Sequence, residues 1–511
     1  MVSRITSGAV HGIESFLVCV EVDVSGGLPG LELVGLLSSE VREAKERVRV
    51  ALKNAGISLP PMRITVSLSP ADLRKEGSAF DLPIAAGILE SLGILKAGRM
   101  KETVIVGELG LDGRVKSVRG ILPIVLEARK QGMRECVIPA GNEEEAQLVD
   151  GIRIRAVESL QDYIQYTKDG TFPGKKQNRE KMLPERGEQK EIYDFAEMGG
   201  NARVRRAAEI AAAGFHHMLM LGPPGSGKTM AAKCIPGILP PLTREERLEM
   251  LAVYSVAGKW KEDGNGQGRR PFVAPHHTIT PQALSGGGSV PRPGAVSLAH
   301  RGVLFLDEMT EFKRSTLDLL RQPLEEKKIL ITRSYGNYTY PADFMLVAAA
   351  NPCPCGYYPD MKRCSCTENE VKRYMGRISG PVFDRIDLCV ETKRLEYSEL
   401  AGKEKREDSR IIRERVMQAR KLQEKRFQGR NIWFNAQMGS GETEQFCALG
   451  ERERKFVEHI FEALELSARG YQKTLKVART IADLEASERI REEHLCEALS
   501  FRMDMRKDTK H

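Results

Sequence analysis

The sequence predicts an α/β protein built from two alternating units followed by a helical region. β-rich runs alternate with helical stretches over residues 1–167, a pattern typical of an α/β domain. A second alternation begins at Tyr193 and surrounds a glycine-rich loop. Strand patterns stop after residue 395, and the remainder has helical periodicity. The chain has 511 residues, which is enough for roughly two to four domains that each bury a core.

The first unit, residues 1–167, contains four strand patterns and three helical patterns. The strands are predicted at FLVCVEVDV, RITVSLSP, TVIVGELG and ECVIP, and the helices at SSEVREAKERVRVALKNAG, DLPIAAGILESLG and ILPIVLEARKQG. Residues 168–192 are polar, contain Gly and Pro and lack apolar periodicity, so we interpret them as a linker.

The second unit, residues 193–395, begins with the helical pattern NARVRRAAEIAAAG. Strand patterns follow at HMLMLG, VLFLDE and FMLVAAAN, and the glycine-rich loop and a helix come directly after the first of them. This alternation predicts a sheet with crossover helices. We expect residues 396–511 to form a separate helical domain.

The composition is that of an ordinary globular protein. The 78 Lys and Arg residues exceed the 70 Asp and Glu residues, which gives a net charge of +8. This excess permits a nucleic-acid partner, but from charge alone solubility is the preferred explanation. The amino terminus lacks a basic region followed by an apolar stretch, and nowhere do 18 apolar residues run together. We therefore expect a cytoplasmic protein without a membrane partner.

A phosphate-binding loop is predicted at GPPGSGKT. This stretch matches GxxxxGK[ST] and lies between an apolar strand and a helix. The glycines allow backbone amides to turn toward phosphate oxygens at the positive end of the following helix. Lys228 is expected to reach the β and γ phosphates of ATP, and Thr229 to bind Mg²⁺. The predicted nucleotide-binding residues of this loop are Gly222, Pro223, Pro224, Gly225, Ser226, Gly227, Lys228 and Thr229.

Polar side chains follow the next two predicted strands. GVLFLDE ends in Asp307 and Glu308, and two carboxylates at the end of a buried strand are costly unless they have partners. Asp307 is expected to hold Mg²⁺, and Glu308 to orient and polarise the attacking water. Asn351 ends FMLVAAAN, where it can contact the γ phosphate or the water, although Asn before a proline is also a common turn residue.

Four of the ten cysteines are clustered in NPCPCGYYPDMKRCSCT. Cys353, Cys355, Cys364 and Cys366 have polar, Gly and Pro neighbours, unlike cysteines that are buried as small apolar residues. Four soft ligands on a short hairpin suit tetrahedral Zn²⁺, although CxC is a less common spacing than CxxC. Free thiols or a redox switch are the alternatives.

Six motifs occur in the order found in one known family. They are GPPGSGKTM, PFVAPHHTITPQALSGGGSVPRPGAVSLAHRGVLFLDE, LRQPLEEKKILITR, AAANPCPCGYY, SGPVFDRIDL and SARGYQKTLKVARTIADLE. Together they resemble the YifB/ComM family of magnesium-chelatase-like AAA+ ATPases over essentially the whole chain. One departure is GGNARVRR, where the family usually has a GQ pair. Asn201 stands in place of the glutamine, which puts an adenine contact from that residue in doubt.

The resemblance implies a ring, expected to be a hexamer, with ATP bound between subunits. Arg385 of GPVFDRIDL would then be the arginine finger for the neighbouring site, although pairing with Asp384 or Asp387 is the structural alternative. Arg469 is similar to the sensor 2 arginine of the helical lid, and Arg479 is a second candidate.

The stretch from Pro271 to Pro293 resembles the helix-2 insert of this group, which lines the pore of the ring. It contains His276 and His277. Because adjacent residues of a strand point to opposite faces, we expect these two histidines not to share a metal ion.

The first unit is similar to the proteolytic domain of Lon, which implies the fold of ribosomal protein S5 domain 2. Where Lon's PKDGPSAG has its nucleophilic serine, this sequence has Ala79, with Ser78 one position away. Lon's GGLKEK aligns with RGILPI, residues 119–124, which leaves no lysine base. We therefore expect a domain without peptidase activity.

Three functions are compatible with this organisation. The resemblance to ComM favours a ring-forming ATPase that moves single-stranded or branched DNA in recombination, natural transformation or repair. A chelatase-type ATPase that remodels a partner protein for metal insertion is the alternative from another class. A Lon-like ATP-dependent peptidase is disfavoured by Ala79.

Overall fold

The computed structural model describes residues 2–96, 98, 100–170, 193–260, 269–394, 407–463 and 466–502. Most of the predicted linker, residues 171–192, lies outside these ranges. Within them, no helix combines the length and the apolar character that crossing a membrane requires. The chain folds into mixed α/β structure that includes parallel pairing in both of its large sheets, which confirms the predicted α/β class.

The first domain is built on a seven-stranded mixed sheet with the order β3-β4-β2-β1-β5-β8-β9. β1 pairs antiparallel with β2 over the whole length of β1, whereas β5, β8 and β9 run parallel. The strands of this domain are β1 (Ser3–His11), β2 (Glu14–Ser25), β3 (Gly30–Val34), β4 (Arg63–Ser69), β5 (Thr103–Ile105), β6 (Glu108–Leu109), β7 (Val115–Lys116), β8 (Glu135–Pro139) and β9 (Arg153–Val157). The predicted strand TVIVGELG is therefore divided between β5 and β6, because β6 leaves the large sheet to pair with β7.

Helices cover this sheet and bury their apolar residues against it. They are α1 (Ser39–Asn54), α2 (Asp81–Ser91), α3 (Ile121–Lys130), α4 (Glu143–Ala146) and α5 (Leu160–Asp169). Ser38 caps α1 by accepting a hydrogen bond from the Val41 N–H at 3.4 Å, which satisfies one of the unpaired amides of the first turn. The apolar residues of α2 are almost all buried, as expected for a helix without a polar face.

The second domain contains a five-stranded parallel sheet with the order β11-β14-β17-β10-β18. Its strands are short and fully apolar at the centre, which is typical of parallel sheets covered on both faces. The strands of this domain are β10 (Met218–Leu221), β11 (Phe272–Val273), β12 (Gly286–Gly287), β13 (Arg292–Pro293), β14 (Val303–Leu306), β15 (Lys328–Arg333), β16 (Gly336–Pro341), β17 (Met345–Ala350) and β18 (Leu388–Glu391).

Two small hairpins, β12–β13 and β15–β16, project from the connections of the central sheet. The helices of the domain are α6 (Ala202–Gly214), α7 (Lys228–Ile238), α8 (Arg244–Ala257), α9 (Pro281–Ser285), α10 (Ala295–Leu298), α11 (Arg314–Asp318), α12 (Arg321–Glu326), α13 (Glu368–Met375) and α14 (Gly380–Phe383).

The described residues after 406 are helices joined by turns. The helices are α15 (Ser409–Arg426), α16 (Ser440–Phe446), α17 (Glu451–Ala463), α18 (Ala468–Leu484) and α19 (Glu492–Ser500). Ile412, Val416 and Ala419 of α15 are buried in one core with α6, α7 and α18. The helical region is therefore packed directly against the second domain.

Among the described residues, the first domain contacts α8 and the β15–β16 hairpin of the second. The Gly120 N–H donates to the Ser255 carbonyl oxygen at 3.1 Å, which joins the start of α3 to the end of α8. On β16, the Tyr338 ring lies 4.1 Å from the His11 ring, and the Tyr338 hydroxyl donates to Glu76 at 3.2 Å. The β15–β16 hairpin is thereby held against the first domain.

A buried ion pair fixes the edge strand β11 to α8. The Arg270 guanidinium donates to the Glu246 carboxylate at 2.9 Å and to the carbonyl oxygens of Pro240 and Arg301 at 2.7 Å each. Both charged side chains are almost completely buried. Because Arg270 lies two residues before β11, this pair sets where the edge strand begins.

Replacing Arg270 by Ala should leave the Glu246 carboxylate buried without its cation. The free energy of unfolding is expected to fall by about 3–5 kcal/mol, the usual cost of breaking a buried pair. Urea unfolding followed by circular dichroism measures the change. The matched control is Arg269→Ala, because Arg269 is exposed. Equal unfolding midpoints for the two variants would show that the Arg270–Glu246 pair does not stabilise the fold.

Candidate nucleotide-binding site

The glycine-rich loop begins directly after β10 and ends at the first residue of α7. Gly225 and Gly227 have φ angles of +75° and +83°, in the left-handed region that favours glycine. Gly222 is required for a different reason, because a Cβ atom there would lie 2.0 Å from Oγ1 of Thr392. The loop therefore has the curvature and the exposed amide groups of a phosphate cradle.

Lys228 lies at the start of α7 and its ammonium group is turned into the loop. Nζ donates to the carbonyl oxygens of Gly222 at 2.6 Å and Pro223 at 2.8 Å, and to Oδ1 of Asn351 at 3.2 Å. Burial lowers the pKa of Lys228 to about 8, and the nearby Asp307 and Glu308 carboxylates oppose this shift. Phosphate oxygens in the loop would supply the negative charge that this cation lacks.

Thr229 and Asp307 provide the oxygen atoms that Mg²⁺ prefers. The Thr229 hydroxyl donates to Oδ2 of Asp307 at 2.8 Å, although the two residues belong to α7 and to the end of β14. Glu308 follows with a φ angle of +50°, an unusual conformation for a residue with a side chain. These residues fit a magnesium site beside the phosphate loop.

One cavity of about 440 Å³ unites the predicted residues. Its walls are formed by residues 224–230, Asp307, Glu308, Ala349, Ala350 and Asn351. Asn351 follows β17, and its side-chain oxygen accepts the hydrogen bond from Lys228. The structure thus brings together the loop residues, both carboxylates and Asn351, which come from three different strand ends.

Asn201 and Thr392 stabilise the loop from outside the cavity. Nδ2 of Asn201 donates to the Ser226 carbonyl oxygen at 3.0 Å, and its Oδ1 accepts from the Lys393 N–H at 3.2 Å. Oγ of Ser226 lies 2.6 Å from Oγ1 of Thr392. Sequence reasoning missed Thr392, because its contact with the loop depends on the pairing of β10 with β18.

Arg385 follows α14 and Arg469 lies in α18, and both contact Glu325 of α12 without lining the cavity. The Arg385 guanidinium is 2.6 Å from the Glu325 carboxylate, and the Arg469 guanidinium is 3.1 Å from the same group. These arginines hold the pKa of Glu325 below its usual value, chiefly through the hydrogen bond from Arg385. Sequence reasoning gave no role to Glu325.

The alternative pairings of the arginines are not observed among the described residues. Asp387 is paired with Lys473 at 2.7 Å rather than with Arg385. Arg479 is buried and donates to Asp483 at 3.1 Å and to the Glu488 carbonyl oxygen at 2.9 Å. Its guanidinium is therefore occupied inside the helical region, and a sensor role for Arg479 stays a prediction.

We expected His276 and His277 not to share a metal ion because adjacent residues of a strand point to opposite faces. The structure has no strand at these two residues. β11 ends at Val273, and the two histidines lie in a turn with ring centroids 4.1 Å apart. Nδ1 of His277 is 3.6 Å from Oε2 of Glu308. The side chains of adjacent residues in a turn need not point to opposite faces, as they do in a strand. The two imidazole rings therefore lie next to each other.

The four clustered cysteines form a compact group. Their Sγ atoms all lie within 4.8 Å of one another, and the Cys353 and Cys364 sulfurs are 3.8 Å apart. A tetrahedron with metal–sulfur bonds of about 2.3 Å has edges of about 3.8 Å, so the group fits Zn²⁺. A hydrogen bond from the Tyr357 backbone lowers the pKa of Cys355 to about 6, whereas burial raises the pKa of Cys364, so these two thiols differ in how readily they form the thiolate that binds metal.

The cysteine group lies against the phosphate loop. A Cβ atom on Gly356 would be 2.7 Å from Cδ of Pro224 and 3.9 Å from Cγ of Asn351. Gly356 has a φ angle of +85°, so glycine is favoured by its backbone conformation as well as by the space. The hairpin that carries the cysteines therefore touches the loop and the strand end that form the cavity.

In the region of the first domain that the sequence aligns with Lon's active site, Ser78 contacts a carboxylate. The Ser78 hydroxyl donates to the Glu108 carboxylate, and Nζ of Lys116 lies 3.9 Å from the other oxygen of that carboxylate. Residues 120–124 form the left-handed Gly120 and the first turn of α3. Residues 119–124 contain no lysine.

Comparisons with known proteins cover nearly the whole chain. Residues 194–400 match the family "Magnesium chelatase, subunit ChlI", residues 20–142 match "Subunit ChlI of Mg-chelatase", and residues 406–502 match "Magnesium chelatase, subunit ChlI C-terminal". The chain is 42% identical to the competence protein ComM of Haemophilus influenzae, over 98% of this chain and 97% of that protein. It is 41% identical to the uncharacterized protein YifB of Escherichia coli, again over 98% and 97%.

A shorter similarity connects the chain with a protease. It is 26% identical to Lon protease 2 of Bacillus subtilis over 31% of this chain and 30% of that protein. An identity of 26% over this length is compatible with the predicted similarity between the first domain and the proteolytic domain of Lon.

Proposed function

The chain belongs to the YifB/ComM family of magnesium-chelatase-like AAA+ proteins, and from this premise we propose that it hydrolyses ATP in a ring of identical subunits and uses the energy to remodel DNA. The observation that carries the ATPase part is the cavity in which Lys228, Thr229, Asp307, Glu308 and Asn351 meet. A cation, a hydroxyl, two carboxylates and an amide around a glycine-rich loop are the groups that phosphoryl transfer requires.

Each residue of the cavity has a distinct task in this proposal. Lys228 exchanges its contacts with Gly222 and Pro223 for oxygens of the β and γ phosphates. Thr229 and Asp307 hold Mg²⁺, which when bound supplies positive charge to the phosphates. Glu308 orients the attacking water and accepts its proton, and Asn351 contacts the γ phosphate or that water.

The two arginines on Glu325 act on a neighbouring subunit. They lie outside the cavity of their own chain, side by side on one carboxylate. Two guanidinium groups presented together suit the charge that develops on a transferring phosphoryl group. Arg385 is the arginine finger and Arg469 the lid arginine of the adjacent site, so a ring, expected to be a hexamer, is needed for hydrolysis.

DNA is the proposed substrate because a close relative is named a competence protein. Two guanidinium groups and an aromatic ring occur together at the β15–β16 hairpin, which Arg74 of the first domain also contacts, and this supports the choice of DNA. Nε of Arg333 lies 3.4 Å from the Gly288 carbonyl oxygen, and the Arg74 guanidinium is 4.1 Å from the centre of the Tyr335 ring. Such groups bind phosphates and stack on unpaired bases, so single-stranded or branched DNA is favoured.

The alternative is an ATPase that remodels a protein partner for metal insertion, since the matching family models carry the name of magnesium chelatase. The peptidase function is disfavoured because Ala79 replaces the nucleophile and Ser78 is bound to Glu108. ATP turnover that responds to a protein and not to DNA would favour the alternative.

Zinc is the second proposed metal, held by Cys353, Cys355, Cys364 and Cys366. A structural zinc ion would close the hairpin between Asn351 and α13 and fix its contact with Pro224. Its role is to stabilise the wall of the ATP site without entering the reaction.

The decisive experiment is ATP turnover by the purified protein, with and without single-stranded and forked DNA at low salt. Stimulation by DNA is expected, because phosphate contacts are strongest at low salt. Turnover without either stimulation or DNA binding would refute DNA as the substrate while leaving the ATPase assignment intact.

The site variants Lys228→Ala and Glu308→Gln separate binding from hydrolysis. Lys228→Ala should lose nucleotide binding, and Glu308→Gln should bind ATP but hydrolyse it about 10²–10⁴ times more slowly. Fluorescent nucleotide binding and phosphate release measure the two effects. Normal turnover by either variant would refute the site assignment.

Mixed rings test the role of Arg385 in the neighbouring site. Arg385→Ala and Lys228→Ala should each be inactive alone, the first by about 10³–10⁵-fold in turnover. Mixing them should restore activity, because some junctions then combine an intact loop with an intact arginine. The control mixture of Lys228→Ala with Glu308→Gln should stay inactive, since both changes lie in one cavity. If the mixture of Arg385→Ala with Lys228→Ala stays inactive, Arg385 does not serve the site of the neighbouring subunit.

Zinc content tests the cysteine site. The protein should contain about one zinc ion per chain, and Cys364→Ser/Cys366→Ser should contain none and unfold at a lower temperature. Elemental analysis and thermal unfolding measure these outcomes. Cys496→Ser is the control because Cys496 is exposed and lies outside the group. Metal-free protein of unchanged thermal stability would remove zinc from the proposal.

A further inference from the structure

The segment that carries Arg385 is joined to the helical region by a second, buried contact. Asp387 lies two residues after Arg385, between α14 and β18, and its carboxylate is 2.7 Å from Nζ of Lys473 on α18. The exposed fractions of the Lys473 and Asp387 side chains are 18% and 10%. Lys473 follows Arg469 by about one helical turn. One helix therefore holds this segment at Asp387 and also carries the arginine that meets Arg385 at Glu325.

The Asp387 carboxylate also fixes the backbone around it. Its Oδ2 accepts a hydrogen bond from the His217 N–H at 2.9 Å, and the His217 carbonyl oxygen accepts from the Asp387 N–H at 2.9 Å. Burial disfavours the charged carboxylate, but Lys473 and His216 outweigh it and hold the pKa of Asp387 well below its usual value. Asp387 is therefore an anion at neutral pH, and the Lys473 ammonium group is the cation that it faces.

α18 reaches the same segment a second time through His216, which comes just before β10. Nε2 of His216 lies 2.8 Å from Oγ1 of Thr480, and its Nδ1 is 3.6 Å from Oδ2 of Asp387. Thr480 and Lys473 are about two helical turns apart, so both lie on one face of α18. This face therefore contacts the segment before β18 directly, through Lys473, and indirectly, through His216.

The contacts of Arg385 itself are weaker restraints. Its guanidinium donates to the Pro381 carbonyl oxygen and lies 2.6 Å from the Glu325 carboxylate, whose side chain is 47% exposed. Nε of Arg385 is buried and has no hydrogen-bond partner among the described residues. Ion pairs that face water contribute little, whereas buried pairs are screened much less. The buried pair at Asp387 therefore fixes the position of the segment more firmly than Glu325 does.

We propose that the Lys473–Asp387 pair positions Arg385 relative to α18. The two arginines on Glu325 are thereby presented to the neighbouring ATP site as one unit. This role rests on the proposed function, which assigns both arginines to that site. Lys473 and Asp387 are positioning residues, because neither belongs to the wall of the cavity. Misplacement of a group at the reaction by about 1 Å can lower the rate about 10²-fold, so the pair affects hydrolysis from a distance.

The test is steady-state ATP turnover of the full-length double variant Asp387→Asn/Lys473→Met. Both charges are removed together, so neither is left buried alone, and the asparagine oxygen can still accept from the His217 N–H. The kcat should fall about 10- to 10²-fold, while the KM for ATP stays within about twofold because the cavity is unchanged.

Lys476→Met is the matched control. Lys476 lies on the same helix, but its ammonium group donates to the Met438 carbonyl oxygen rather than to Asp387. This variant should keep wild-type turnover.

Mixed rings show in which subunit the pair acts. The double variant mixed with Lys228→Ala should turn over ATP several-fold faster than the sum of the two separate proteins, because its intact loops can receive arginines from Lys228→Ala subunits. The double variant mixed with Arg385→Ala should show no recovery, because both proteins then lack a positioned Arg385. A general loss of folding would give recovery in neither mixture.

The outcomes separate this role from the proposed function. An active wild-type protein whose double variant has an unchanged kcat overturns the positioning role alone. A lower kcat without recovery in the Lys228→Ala mixture also overturns it, because the defect would then not be confined to the arginines. If circular dichroism shows that the double variant is unfolded, Asp387→Asn alone undergoes the same measurements. A wild-type protein without ATP turnover overturns the proposed function and, with it, the role of the pair.

Discussion

The candidate site depends on the parallel arrangement of β10, β14 and β17 at the centre of one sheet. Because these strands run in the same direction, their carboxyl ends meet at a single edge. Leu221 of β10 pairs with Ala350 of β17, and Leu306 of β14 pairs with Ala348. The glycine-rich loop, the two carboxylates and Asn351 each follow one of these strands, so the sheet alone brings them to one cavity.

The strands themselves are apolar because both faces of the sheet are covered, and a charge inside it would lack a partner. The charged groups of the site therefore lie at the carboxyl-terminal edge of the sheet, where they form hydrogen bonds with neighbouring polar groups. Lys228 uses two carbonyl oxygens and Asn351, and Thr229 is bonded to Asp307. These contacts fill positions that phosphate and Mg²⁺ take in our proposal. The groups of the cavity are thus held in place before ATP binds, and in our proposal Lys228 and Thr229 exchange these contacts for phosphate and Mg²⁺.

The elements around the sheet divide the remaining tasks. The loop after β11 reaches Glu308 from one side, and the cysteine hairpin reaches Pro224 from the other. Arg385 and Arg469 contact Glu325 away from the cavity, so one chain carries the candidate nucleotide-binding cavity and, at a separate place, a pair of guanidinium groups. This separation is the physical basis for proposing a ring, in which the two surfaces of adjacent chains are joined.

The sequence by itself determined the local chemistry: the glycine-rich loop, the carboxylates after β14, Asn351, the four cysteines and the α/β alternation follow from residue type and spacing. Only the tertiary structure decided which distant residues meet. Thr392 reaches Ser226 because β18 pairs with β10. Glu325 contacts both Arg385 and Arg469, which follow it by 60 and 144 residues in the chain. His277 faces Glu308 because β11 ends early and a turn replaces the strand expected there. Spacing along the chain specifies neighbours within one element, whereas strand order and helix packing specify neighbours between elements.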